Sequence, residues 1–121
     1  MKTTAKDFAL FKAEFLRWQN RLGLTHYRAV FRHVQIQDCF ANITINHPGK
    51  IATVRLTVDL EADDAAAFDP VRSGRHEALH LLLGRLAWLG QNRFSVYSGD
   101  LDEEEESIVR RLENLLNEDQ P

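Results

Sequence analysis

The sequence predicts a single α+β domain, and three observations carry that prediction. Apolar residues recur at spacings of three and four near both ends of the chain, as amphipathic helices require. The middle changes to an alternating pattern rich in Ile, Val and Thr, which suits strands. A chain of 121 residues with 44% hydrophobic content and no linker-like, repetitive or low-complexity stretch supports one modest core, so residues 1–121 form one domain.

The elements follow in order. Residues 5–22 read as a helix, with Phe8, Phe11, Phe15, Trp18 and Leu22 on one apolar face and Gly23 as its stop. This aromatic stripe is read as core. In "HYRAVFRHVQIQ", Tyr27, Ala29 and Phe31 alternate with Arg28, Val30 and Arg32. "CFANITIN" and "KIATVRLTVDL" follow, joined by the turn residues of "NHPGK", which predicts a hairpin at 46–50. The expectation is a small, mostly antiparallel three-stranded twisted sheet. "EADDAAAFDP" is a connection, and Asp69 with Pro70 looks like an N-cap and first helical residue, Ser73 being the rival cap. That helix is expected to reach about Leu89, with Gly90 beyond it. After the loop "QNRFSVYSG", Asp100 or Asp102 caps a last helix whose acidic first turn complements the helix dipole.

Several function classes are disfavoured by composition. Net charge is −3 with no basic patch, which argues against broad phosphate contacts and hence against nucleic acid as a partner. The most apolar stretch, 79–89, is short and carries Arg85, so it is not expected to span a bilayer. The N-terminal residues lack the apolar run of a signal peptide, and the lone Cys39 cannot form an internal disulfide. A cytoplasmic location is the expectation.

The chemistry-bearing stretch is "HEALH". His76 and His80 stand at i and i+4 on one helical face, about 6 Å apart along the axis, so their ring nitrogens can converge on one Zn2+ at about 2.0–2.1 Å. Glu77 is rotated away from both ligands. It can take a proton from a metal-bound water, generating a nucleophile for a carbonyl carbon. Leu79, Leu82, Leu83, Leu86 and Leu89 are expected to bury one side of this helix, with the histidines on its edge. Zinc needs a third protein ligand. The stripe of the last helix runs Leu101, Ile108, Leu112 and Leu115, and a 4-3-4-3 count puts Glu105 on it. A carboxylate facing the packing side needs a cation, which nominates Glu105 as third ligand, with Glu104 and Glu106 as alternatives.

A helix bearing "HEALH" followed by a glutamate helix resembles the gluzincin branch of zincin metallopeptidases, particularly the small zincin-like proteins of bacteria and tailed phages. The order of helix, small sheet, H-E-x-x-H helix and glutamate helix is similar to a compact zincin core. The resemblance implies a zinc-dependent peptidase with His76, His80 and Glu105 as ligands, Glu77 as general base, and a peptide or protein substrate pairing with the sheet's edge. "KIATVRL" is the expected edge strand. Gluzincins add an electrophile that stabilises the oxyanion. Tyr97 is nominated for this role, with Tyr27 and His26 as alternatives. The metzincin pattern fails because positions 83 and 86 are leucine, and the chain has no room for the substrate-binding subdomains of larger gluzincins. Two other readings stand beside the peptidase: a non-catalytic zincin-like binding or regulatory module, and a small α+β domain without metal.

Overall fold

The computed structural model describes residues 1–94 and 97–118. It contains α1 (Ala5–Arg21), β1 (Arg28–His33), β2 (Ala41–Asn46), β3 (Ile51–Leu56), α2 (Pro70–Gln91) and α3 (Ser98–Glu118). The fold is thus α+β: an N-terminal helix, a small mixed sheet and two further helices. Residues 95–96 of the predicted loop lie outside the described residues.

Local chemistry sets the helix ends. Thr4 and Asp7 form a reciprocal capping box at the start of α1, with N···O distances of 3.0 and 2.8 Å. Gly23, at φ 69°, ends it in the left-handed conformation that glycine adopts at least cost. Asp69 caps α2 by accepting from the backbone N–H groups of Val71 and Arg72, and Pro70 is the first helical residue. The helix runs through Gly90 to Gln91 rather than stopping at 89. Helix α3 begins at Ser98, so neither Asp100 nor Asp102 is its N-cap as expected; Asp100, in the first turn, accepts from the Tyr97 N–H at 3.2 Å.

The strand order is β1-β3-β2, with β1 parallel and β2 antiparallel to β3. The expected hairpin between β2 and β3 is present, with Asn46 Oδ1 accepting from Gly49 N–H and Lys50 left-handed at φ 57°. Two expectations are corrected. The sheet is not mostly antiparallel, and "KIATVRL" lies at its centre rather than its edge. The cause is segment 34–40, which crosses the end of β3 instead of folding β2 back on β1. Val34 N–H donates to Leu56 O, and Thr57 N–H donates to Phe40 O, pinning that crossing.

One sheet face is buried. Ala52, Val54 and Leu56 of β3 are fully inaccessible, and their register partners Ala29, Phe31, Ala41, Ile43 and Ile45 pack on the same core. The opposite face carries Arg55, whose guanidinium donates to Asn42 and Thr44 of β2. Phe11, Phe15 and Leu22 complete the core from the N-terminal segment, while Phe8 and Trp18 are half-buried against it. Gln19, which the aromatic stripe does not predict, is also buried, donating to Leu24 O and Tyr27 O.

Helix α2 buries Leu82 and Leu89 and packs Leu86 on the core as expected, but its inward face is rotated toward Gly74, Glu77 and Ala78. Its buried residues are Gly74, Glu77, Ala78, Leu81, Leu82 and Leu89, whereas Leu79 and Leu83 are exposed. Gly74 explains the rotation: a Cβ there would lie 2.4 Å from Phe11 O, so the α1–α2 crossing closes over this residue. Locking Gly74 against α1 brings positions 77, 78, 81 and 82 into the core. Position 77, a glutamate, is carried inward with them.

Candidate metal centre

The rotation of α2 leaves His76 and His80 on the neighbouring, solvent-facing side. Their Nε2 atoms stand 3.1 Å apart, and the rings meet edge to face with centroids 4.7 Å apart. Without an ion, that approach is an N–H on one ring donating to the lone pair of the other. Two donors so spaced, each about 2.0–2.1 Å from a shared ion, subtend roughly 100° at it, close to tetrahedral. The i, i+4 spacing thus brings the two ring nitrogens together.

Glu77 lies beside them. It is only 4% exposed, and its carboxylate makes no hydrogen bond or ion pair with any described residue. Burial raises its pKa from 4.5 to about 7, because a charged carboxylate is poorly solvated there. The three residues open on one pocket of about 650 Å³ between the first half of α2 and the start of β2. Cys39, Phe40, Ala41 and Ile43 form its strand-side wall, and Ala67, Asp69, Arg72 and Ser73 continue it toward the start of α2. Desolvation first, then the charge of Glu77, raises the pKa of the exposed Cys39 thiol.

The remaining nominated residues lie elsewhere. Glu105 is exposed. The inward acid of α3 is Glu104, which meets Arg85 of α2 at 3.2 Å. The interval from Leu101 to Ile108 spans seven residues, so positions 104 and 105 both satisfy a three-four count. The presence of Arg85 opposite 104 decides between them, and spacing alone cannot show that. Glu106 is exposed and reaches Arg110 on its own helix. Among the described residues, no group of three or more His, Cys, Asp or Glu side chains is arranged to hold a metal ion. The Zn2+ expectation thus rests on two imidazoles. Tyr97 is 76% exposed and does not line the pocket. Tyr27 is buried, with its hydroxyl 3.1 Å from His47 Nδ1, and His26 stacks obliquely on Tyr27. Neither lines the pocket.

The sequence reading missed the strand-side wall and Arg72. For Arg72 a signal existed, because positions 72, 76 and 80 repeat every four residues on one face. For Cys39, Phe40 and Ile43 there was none without the strand order.

Among the described residues, no helix is long and apolar enough to cross a membrane. Comparison with protein-family models, with curated proteins and with solved structures finds no match for this chain. The fold and site show an α+β domain with two histidines close together and, in the same pocket, a buried acid without a partner among the described residues.

Proposed function

We propose that the chain is a metal-dependent peptidase of narrow specificity, with His76 and His80 as protein donors to Zn2+ and Glu77 as the proton-transfer group. One observation supports this above all: the 3.1 Å convergence of two Nε2 atoms at the mouth of the pocket that also holds an unpartnered buried carboxylate. A divalent ion held by the imidazoles supplies a Lewis acid for the scissile carbonyl and for water. Glu77, with a pKa near 7, is matched to accept a proton from the attacking water and return it to the leaving amine near neutral pH. The β2 edge strand, which forms the opposite wall, offers backbone groups to an extended peptide. With only two protein donors gathered among the described residues, a bound ion would be held by His76 and His80 less tightly than in a three-ligand site. These features fit the zincin-like resemblance at His76, Glu77 and His80, and not at Glu105.

A second reading, a non-catalytic zincin-like module that binds a partner, is favoured by the absence of a third donor among the described residues. Metal analysis of protein purified without an affinity tag, followed by cleavage profiling on a proteome-derived peptide library, separates the two. The peptidase reading expects stoichiometric zinc, and hydrolysis that Glu77→Gln abolishes while zinc is retained. Metal without cleavage supports the module instead. Wild-type hydrolysis by Glu77→Gln removes Glu77 from the mechanism.

A further inference from the structure

The pocket extends well beyond the histidines, and its far end carries a cation. Arg72 lies one turn before His76 on the same face, about 6 Å away along the axis. Its side chain lines the pocket and has no hydrogen-bond or ion-pair partner among the described residues. Asp69, three residues earlier and in the same pocket lining, accepts from the Val71 and Arg72 backbone N–H groups through Oδ1 as the helix cap and forms no ion pair with Arg72. The same pocket has an apolar part, formed by Phe40, Ala41, Ile43 and Ala67.

We propose that Arg72 recognises a carboxylate of the ligand, and that the pocket takes a peptide segment in which an apolar side chain adjoins that carboxylate. An extended peptide advances about 3.3 Å per residue. A carboxylate one or two residues beyond a carbonyl placed at the histidines therefore reaches the guanidinium. The planar fork of arginine binds such a group through two parallel N–H donors. The intervening side chain falls against the apolar wall, where its burial adds affinity without a polar cost. The carboxylate has two possible sources, the α-carboxylate of a chain end or an Asp or Glu side chain. The peptide nature of the ligand rests on the peptidase reading. The cation and the apolar wall do not.

Binding to the full chain measured calorimetrically, first metal-free and then with zinc, tests this. Two probe pairs are used: N-acetyl-Ala-Phe as free acid or amide, and N-acetyl-Phe-Glu-amide or N-acetyl-Phe-Gln-amide. The expectation is that at least one acid binds about tenfold or more tightly than its neutral partner, a difference of about 1.4 kcal/mol. Arg72→Gln collapses that ratio to near one while leaving the neutral probe's affinity within about twofold. The pair that discriminates identifies the source of the carboxylate. Equal binding of acid and neutral probes, discrimination surviving in Arg72→Gln, or no binding of any probe at millimolar concentration overturns the proposal. Arg72 is exposed, so its replacement is expected to leave the circular dichroism spectrum unchanged. Charge discrimination in a protein that cleaves no peptide even with zinc added counts against the peptidase reading and leaves carboxylate recognition by Arg72 standing.

Discussion

Replacing Glu77 by glutamine is expected to stabilise the metal-free protein, and to do so only on the alkaline side. The carboxyl is buried without a partner, and its pKa in the folded chain is about 7 against an ordinary 4.5. Because the folded state binds this proton more tightly than the unfolded state, the group's contribution is fully present below pH 4.5. It is lost as pH rises through 7. A gap of 7 minus 4.5 corresponds to about 3 kcal/mol at 1.36 kcal/mol per unit, as an upper figure. Glutamine does not titrate, but it leaves an amide in the same unpartnered site, at a cost of roughly 1 kcal/mol. The net gain for Glu77→Gln at pH 8 is therefore about 1–3 kcal/mol, a rise in Tm of roughly 4–12 °C for a chain of this size. At pH 4.5 the two proteins should differ far less. Urea unfolding of both proteins in chelator, at several pH values from 4.5 to 8, measures the difference directly. A difference that stays flat across that range refutes the reasoning, since it would mean that Glu77 has a cation or hydrogen-bond donor beside it in the folded state.

Three other expectations follow from the packing. Gly74→Ala should destabilise the fold by about 2 kcal/mol or more despite alanine's better helix propensity of about 1 kcal/mol, because the new Cβ meets Phe11 O; urea denaturation checks this. Glu104→Gln should lower stability by about 0.5–1 kcal/mol through the loss of Arg85, whereas Glu105→Gln should change it by less than about 0.5 kcal/mol, measured in parallel thermal melts. His47 is buried under Trp88, and burial, with the charges of Lys50 and Arg85, lowers its pKa. Its NMR titration midpoint should lie below 6.5, and in a Glu77→Gln background stability should fall as pH drops below 6.5, where the unfolded chain takes up the proton first.

The elements were legible because each rests on local chemistry. Gly23, Asp69 and Pro70 act on their own backbone neighbours, and the alternation at 26–32 reflects a sheet buried on one face. The strand order was not legible, since segment 34–40 is defined by long-range bonds to β3 that no local pattern encodes. The same limit explains the inward face of α2. Leucines stand on nearly every side of that helix, so hydrophobic periodicity points nowhere in particular, and the choice falls to one steric fact, the approach of Phe11 O to Gly74. His76 and His80 survive any rotation of the helix because their relation is internal to it. Glu105 does not, because its assignment needed the rotation of a second helix relative to the first, and Arg85 fixes that rotation at Glu104.

At pH 8 a helix with Gly74, Ala78, Leu81 and Leu82 facing the core would be more stable with glutamine at 77, by the amount above. The carboxyl instead sits where desolvation brings its pKa to neutrality, against the pocket that two imidazoles share. A buried group adjustable in charge near pH 7 is what the proposed proton transfer needs. This couples the two measurements on one residue. If the stability gain of Glu77→Gln at pH 8 appears and hydrolysis disappears with it, the destabilisation and the chemistry have the same origin. If the gain appears in a protein that neither binds zinc nor cleaves peptides, the acid is a strained core residue and the histidines are surface neighbours.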